Sequence, residues 1–251
     1  MLIHPTIDKL NSMRLGGMAK GLRAQLENPE IHNLSFEDRM ALLVDAELLE
    51  RENRQLTSRL KGAKLRQNAA LEDLDTRPGR GIDRSLLASL ATCHWVKRRH
   101  NLLLTGATGT GKTWLACALS HSACRQGITA AYHRLPTLMQ DLELARHDGR
   151  YRKLMRGLAM TELLVLDDLG LAPLSGEQLR DLLEIIDERY QKRSTLITSQ
   201  LPVANWHQAL GDPTMADAIL DRVVHNAYKM ELQGEDSMRK LLANIDVVEH
   251  M

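Results

Sequence analysis

The sequence is poor in aromatic residues, with one Phe, four Tyr and three Trp among 251 residues. Proteins that bind single-stranded nucleic acids stack the bases on exposed aromatic side chains, and this chain has few to offer. If the protein binds nucleic acid, this scarcity favours contacts with the phosphate backbone of a duplex, which tolerate any base sequence and are sensitive to salt.

Other absences narrow the class of protein further. The three cysteines, Cys93, Cys117 and Cys124, form no C-x-x-C pair, so we expect buried thiols in a reducing cytoplasm. No apolar run approaches the ~20 residues that a membrane span needs, and the N-terminal stretch lacks the apolar core of a signal peptide. The net charge is only +1. We therefore expect a cytoplasmic globular protein with no membrane partner, built from one large domain or two smaller ones.

A glycine-rich stretch between an apolar run and an amphipathic run is the strongest signal. Gly106-Ala-Thr-Gly-Thr-Gly-Lys-Thr113 follows Leu102–Leu104 and matches the P-loop pattern of strand, loop and helix. Its N–H groups and the following helix N-terminus would bind phosphate, Lys112 would reach the β- and γ-phosphates of ATP, and Thr113 would hold Mg²⁺. The predicted nucleotide-binding residues are Gly106, Ala107, Thr108, Gly109, Thr110, Gly111, Lys112, Thr113 and Trp114, the last without a chemical role.

Two adjacent carboxylates follow a second apolar run, Leu163–Leu166. A continuous apolar run is typical of a parallel strand covered on both faces, and ligands bind at the carboxyl ends of such strands. Asp167 is therefore our candidate for the Walker B residue, which supports the Mg²⁺ ion together with Thr113. Asp168 could orient the attacking water. The alternative for Asp168 is a turn residue or a helix cap before Gly170.

The chain divides into two regions by its patterns. Residues 1–75 show only helical signals, with one helix from Ile7 to Leu26 that is loosened at Gly16-Gly17 and a second that begins at Ser35. After a turn-rich stretch, residues 76–251 alternate strands with helices, which predicts an α/β fold with a parallel sheet of five strands. The strand that ends in Thr198-Ser199-Gln200 is expected between the P-loop strand and the Walker B strand. The predicted strands are Leu102–Leu104, Thr129–Tyr132, Leu163–Leu166, Thr195–Thr198 and Tyr228–Leu232.

Several stretches beyond the P-loop give the chain a family resemblance. Over essentially its whole length the chain resembles the IstB/DnaC family of AAA+ ATPases, and within it the helper ATPases encoded with the transposases of bacterial insertion sequences. The Walker pair is shared by all P-loop ATPases, so the resemblance depends on more specific stretches. These are Leu166–Gly170, Ile185–Tyr190, Ser194–Pro202, Asn205–His207, Ile219–Arg222 and Gly234–Lys240.

The resemblance implies roles for three more side chains. Gln200 would be the polar sensor-1 residue that positions water near the γ-phosphate, with Ser199 and Thr198 as alternatives. Arg222 would be an arginine finger that acts in trans on the ATP of a neighbouring subunit. Arg239 would be the sensor-2 residue, in a small C-terminal lid. ATP bound at subunit boundaries would then join the subunits into a ring or an open helix.

The resemblance also implies a function. We expect an oligomer on the bacterial nucleoid that binds target duplex DNA, remodels it and stimulates a transposase, with ATP and Mg²⁺ as cofactors. The basic residues expected to contact DNA are Arg146, Arg150, Arg152, Lys153 and Arg156.

Three alternatives stay open. The first is a DnaC-type replicative helicase loader. The second is a DNA scaffold that uses ATP as a switch with little turnover, because Asp168 stands where most AAA+ proteins have Glu. The third is a small-molecule P-loop kinase, which would need no finger in trans and no DNA surface.

Overall fold

The computed structural model describes residues 5–74 and 79–234. They fall into two compact units, with the boundary between Ser58 and Arg59. Within the described part of the chain, no helix is both long and apolar enough to cross a membrane.

The first unit is helical. It contains α1 (Pro5–Ser12), α2 (Gly16–Glu27), a 3-10 turn (Pro29–Asn33) and most of α3 (Phe36–Ala63). The single helix predicted from Ile7 to Leu26 is wrong, because the chain turns at Arg14, which adopts a left-handed φ of 61°. Ile7, Leu10 and Ala19 form the small core around this turn.

Close packing of two helices explains a glycine in the first unit. A Cβ on Gly17 would lie 2.4 Å from the carbonyl oxygen of Ala46 in α3, so α2 can approach α3 only with glycine there. The Glu47 carboxylate accepts hydrogen bonds from the N–H groups of Gly17 (2.7 Å) and Met18 (3.2 Å) at the start of α2. At the start of α3, the Ser35 hydroxyl accepts a hydrogen bond from the N–H of Asp38, as its capping pattern predicts.

The second unit is a parallel sheet with helices on both faces. The strands are β1 (Asn101–Gly106), β2 (Ala130–Arg134), β3 (Leu163–Leu169), β4 (Ser194–Ser199) and β5 (Ala227–Leu232). The helices are α4 (Arg84–Ala91), α5 (His94–Lys97), α6 (Lys112–Arg125), α7 (Leu135–His147), α8 (Tyr151–Met160), α9 (Gly176–Arg189), α10 (Trp206–Leu210) and α11 (Pro213–Val224), with 3-10 turns at Leu71–Asp73 and Val203–Asn205. Helices α4 and α5 are separated at Cys93, which has a left-handed φ of 54°.

The strand order is β2-β3-β4-β1-β5, and every neighbouring pair is parallel. The predicted five-stranded parallel sheet is confirmed, and β4 lies between the P-loop strand β1 and the Walker B strand β3. Alternate residues of the strands enter the two hydrophobic layers. Leu103, Leu164 and Ile197 pack with α7, α9 and α11, while α6 contacts strands β1 to β4.

The parallel arrangement determines which residues meet at one edge. Strands β1, β2, β3 and β4 end at Gly106, Arg134, Leu169 and Ser199, so their carboxyl ends lie side by side. This is the edge at which α/β sheets bind ligands. Helix α9, which follows β3, begins with a capping box between Ser175 and Gln178.

Candidate nucleotide-binding site

The glycine loop between β1 and α6 has the backbone geometry of a phosphate-binding turn. Gly106, Gly109 and Gly111 adopt φ values of 140°, 88° and 97°. A Cβ at Gly106 would lie 2.2 Å from the Leu232 carbonyl oxygen, so β5 leaves no room for a side chain there. The loop ends where α6 begins at Lys112, which directs the positive end of the helix toward the loop.

Lys112 lies folded back onto this loop. Its Nζ donates hydrogen bonds to the carbonyl oxygens of Gly106 and Ala107, both at 2.7 Å. Burial lowers the pKa of Lys112, and the charges of Asp167 and Asp168 act in the opposite direction. The ammonium is therefore held at the loop beside two carboxylates.

Asp167 lies beneath the loop and is fully buried. The Thr113 hydroxyl is 3.1 Å from Oδ1 and 3.0 Å from Oδ2. The hydroxyls of Thr198 and Tyr132 also donate to this carboxylate, and burial together with the contact to Asp167 raises the pKa of Tyr132. Four side chains from β2, β3, β4 and α6 thus meet at one point.

The oxygen atoms of Thr113 and Asp167 suit Mg²⁺, which prefers hard oxygen ligands and usually takes few of them from the protein. No group of three or more His, Cys, Asp or Glu side chains that could hold a metal occurs in the described ranges. An Mg²⁺ ion here would therefore depend on phosphate oxygens for further ligands, as nucleotide-bound Mg²⁺ does.

A β-bulge explains how two adjacent carboxylates both reach the site. In a regular strand, neighbouring side chains point to opposite faces. The register of β3 against β4 shifts between Leu166 and Leu169, and Asp168 has a left-handed φ of 69°. A bulge re-aims side chains in this way. Asp168 lines the cavity above the sheet edge, and Arg134 Nε lies 2.7 Å from its Oδ2.

The three candidates for the sensor-1 role have different surroundings. Thr198 and Ser199 are fully buried. The Thr198 hydroxyl donates to Asp167 and accepts from the Asp168 N–H, and the Ser199 hydroxyl donates to the Leu169 carbonyl oxygen. Gln200 lines the cavity, and its Oε1 accepts a hydrogen bond from the Thr108 hydroxyl at 2.8 Å. Gln200 is therefore the candidate that faces the site.

These residues surround an open cavity of about 470 Å³, a size typical of small-molecule sites. The predicted loop residues from Thr108 to Trp114 line it. Sequence reasoning missed other lining residues, because only the fold brings them to the loop. They are Arg66, Gln67, Asn68, Asp73, Leu74, Arg80, Ile82, Arg134, Leu171 and Leu232, and Leu115 lines the cavity next to Trp114.

Arg222 lies away from this cavity, near the start of β1. The Asn101 side-chain amide, in the first residue of β1, donates to the backbone carbonyls of Arg222 (3.4 Å) and Val223 (3.2 Å). The glycine loop begins at the other end of the same strand. The Arg222 guanidinium forms an ion pair with Asp187 and donates to the Ala218 carbonyl at 2.7 Å. Arg239, the predicted sensor-2 residue, and the predicted lid around it lie outside the described residues.

The five predicted DNA-contacting residues fall into two groups. Arg146 forms ion pairs with Asp181 and Glu177, and Arg150 forms one with Asp148. Members of the second group are exposed on α8 and form no ion pair with any residue that the structure describes. They are Arg152, Lys153 and Arg156.

The sequence matches a family model over residues 8–243, described as that of the IstB-like ATP-binding proteins. It is 50% identical over 239 residues to the insertion sequence ATP-binding protein y4pL of Sinorhizobium fredii, a match that covers 95% of this chain and 98% of y4pL. It is also 50% identical over 203 residues to the ATP-binding protein of insertion sequence IS1162 of Pseudomonas fluorescens, covering 80% of this chain and 88% of the relative.

Solved structures of AAA+ P-loop ATPases share the fold. DnaI superposes with a TM-score of 0.58 at 22% identity, covering 66% of this chain and 92% of the solved chain. The DnaC helicase loader superposes with a TM-score of 0.54 at 23% identity, covering 68% of this chain and all of the solved chain. At these identities the likeness establishes the AAA+ fold alone.

Proposed function

The chain belongs to the family of IstB-like ATP-binding proteins, and from this premise we propose that it is an ATP-hydrolysing helper of transposition. In this proposal the protein oligomerises on target duplex DNA, remodels it and recruits or stimulates a transposase. The observation that supports it most is the separation of two parts of one catalytic site. The P-loop and both carboxylates meet at one end of β1, and Arg222 lies at the other.

The residues of the cavity fit hydrolysis of the terminal phosphate. Lys112 and the loop N–H groups would bind the phosphates, and Thr113 with Asp167 would hold nucleotide-bound Mg²⁺, which would neutralise phosphate charge. Asp168 would accept a proton from the attacking water, and Gln200 would help to orient that water. Both side chains line the cavity, which supports these assignments.

Arg222 would act on the nucleotide of a neighbouring subunit. Its own glycine loop lies at the opposite end of β1, so the residue can complete a site only in a second copy of the chain. An arginine supplied in trans typically accelerates hydrolysis by roughly 10³- to 10⁵-fold. Such a contact repeats from subunit to subunit and would generate a ring or an open helix.

DNA would bind along a basic surface on α8. Arg152, Lys153 and Arg156 are exposed there and are not neutralised by described acidic residues. Phosphate contacts from such residues would position the protein without reading base sequence. Arg146 and Arg150 are weaker candidates for DNA contacts, because acidic residues already pair with them.

A helicase loader of the DnaC type remains the second candidate because it has the same fold. The extent of the match to insertion-sequence proteins favours the transposition helper. Pull-down with an insertion-sequence transposase, compared with pull-down with a hexameric replicative helicase, distinguishes the two candidates. Measurements of the burst and the steady state of phosphate release distinguish an enzyme that turns over ATP from a DNA scaffold that uses ATP as a switch with little turnover.

Assembly on DNA is the decisive test. Mass photometry of the full chain would be recorded with and without ATP, Mg²⁺ and a duplex of several helical turns. We expect large ATP-dependent assemblies on DNA that Arg222→Ala abolishes and that Arg180→Ala, an exposed arginine on α9, preserves. A monomer that hydrolyses ATP and ignores DNA would contradict the proposal and favour a small-molecule kinase.

A further inference from the structure

The carboxylate of Asp167 is surrounded mainly by neutral donors. Thr113, Thr198 and Tyr132 donate through hydroxyl groups, and the carboxylate has no exposure to solvent. A buried negative charge needs a cation as well as hydrogen bonds. The ammonium of Lys112 is bound to the two loop carbonyls.

Arg66 forms an ion pair with this carboxylate. Its Nη1 lies 4.0 Å from Asp167 Oδ2. Arg66 follows the end of α3 and lines the nucleotide cavity, with its side chain 46% exposed. The guanidinium therefore reaches the Walker B residue from the cavity side, where nucleotide-bound Mg²⁺ would also approach.

We propose that Arg66 competes with nucleotide-bound Mg²⁺ for Asp167 and thereby sets the Mg²⁺ concentration that the site requires. This inference rests on the proposed binding of ATP and Mg²⁺ at the P-loop. Two cations beside one carboxylate repel each other, so each weakens the binding of the other. The Arg66 side chain is half exposed, so it can swing into solvent when Mg²⁺ replaces it beside the buried Asp167 carboxylate.

A different role for Arg66 would reverse the sign of the effect. If Arg66 contacted the phosphates of the nucleotide, its removal would weaken nucleotide binding in the absence of Mg²⁺. If it competes with Mg²⁺, its removal leaves that binding unchanged and lowers the Mg²⁺ requirement. Binding measurements can therefore distinguish the two roles without reference to hydrolysis.

The experiment uses the full chain and an ATP analogue with a fluorescent label on its ribose. Binding is measured first in EDTA and then in a Mg²⁺ titration, for the wild type, Arg66→Ala and Arg66→Gln. Lys61→Ala is the matched control, because it removes an exposed positive charge from the same segment outside the cavity. We expect the half-saturating Mg²⁺ concentration to fall about two- to fivefold in both Arg66 variants, the scale of a partly screened ion pair.

The outcomes separate this inference from the proposed function. An unchanged Mg²⁺ midpoint in the Arg66 variants, or weaker binding in EDTA, overturns the competition while the nucleotide site stands. A fall of the same size in Lys61→Ala also overturns it, since the effect would then reflect net charge. A wild-type chain that binds no nucleotide overturns both proposals.

Discussion

Arg134 and Asp168 form an ion pair across the ends of neighbouring strands, with Arg134 Nε 2.7 Å from Asp168 Oδ2. Arg134 is the last residue of β2, and Asp168 lies in the bulge of β3. The carboxylate proposed to accept a proton from water is thus already paired with a cation, and this ion pair must open or rearrange before the carboxylate can contact the water.

Removal of this pair is expected to speed basal hydrolysis. In Arg134→Gln, the Asp168 carboxylate loses its charged partner, and we expect the ATP hydrolysis rate to rise about two- to fivefold, since partly exposed ion pairs contribute up to about 1 kcal/mol. Steady-state phosphate release at saturating ATP measures it. The gain should vanish when Asp168→Asn is added. A rate that falls in Arg134→Gln alone would instead assign Arg134 a supporting role in catalysis.

The pKa of Lys112 predicts how nucleotide binding depends on pH. Burial lowers this pKa below the ordinary lysine value of 10.5, and phosphate binding requires the charged form. We expect ATP affinity to decline on the alkaline side, beginning at a pH below the ordinary value. Binding titrations between neutral pH and the alkaline limit of stability test this. Lys112→Arg should remove the decline, because a guanidinium stays charged.

The lowered pKa of Lys112 also affects the stability of the folded chain, and this effect increases with pH whereas ATP affinity decreases. The unfolded chain holds the Lys112 proton more tightly than the folded chain, so the unfolded state binds more protons between the two pKa values. The contribution of Lys112 to the free energy of unfolding therefore rises with pH through this window when no nucleotide is bound. Urea unfolding of the wild type and of Lys112→Met across this range would detect it. A wild-type curve parallel to that of the variant would contradict the assigned shift.

The glycine loop could be predicted from the sequence because its residues are contiguous and each has a local role. The alternation of strand and helix patterns predicted the parallel sheet, and the sequence also predicted that β4 lies between β1 and β3. Tyr132, Arg134 and Arg66 could not be predicted, since β2 and the segment after α3 reach the site only through tertiary packing. The bulge at Asp168 could not be predicted either, because two adjacent Asp residues are equally compatible with the end of a regular strand.

Gly106 is expected to be irreplaceable for a steric reason. In Gly106→Ala the new Cβ would approach the Leu232 carbonyl oxygen at a backbone φ of 140°. We expect a loss of about 3 kcal/mol or more in the free energy of unfolding, from backbone strain and overpacking together. Urea unfolding measures the loss.

Gly149→Ala is the matched control for this substitution. Gly149 also has a positive φ, of 77°, but a Cβ there meets no atom within 4 Å. Its cost should be limited to backbone strain of about 1–2 kcal/mol. Equal losses in the two variants would show that contact with β5 does not determine the requirement for glycine at position 106.

The salt dependence of DNA binding can test the basic surface on α8. Each phosphate contact that a lysine or arginine makes contributes about 0.9 to the slope of log K against log salt. In a triple variant, Arg152→Ala with Lys153→Ala and Arg156→Ala, we expect weaker duplex binding and a slope smaller by about 2 to 3. Fluorescence anisotropy with a labelled duplex over a range of salt concentrations measures both quantities.

Arg150→Ala is the control for this surface because Asp148 already neutralises the Arg150 guanidinium. Its slope should change by less than the per-residue change of the triple variant. Arg146 is a poorer control, since its removal would leave the buried Asp181 carboxylate without its arginine partner and would lower stability. If Arg150→Ala reduces the slope as much per charge as the triple variant does, the Asp148 pair must open when DNA binds, and the contact surface then extends from α8 to the turn after α7.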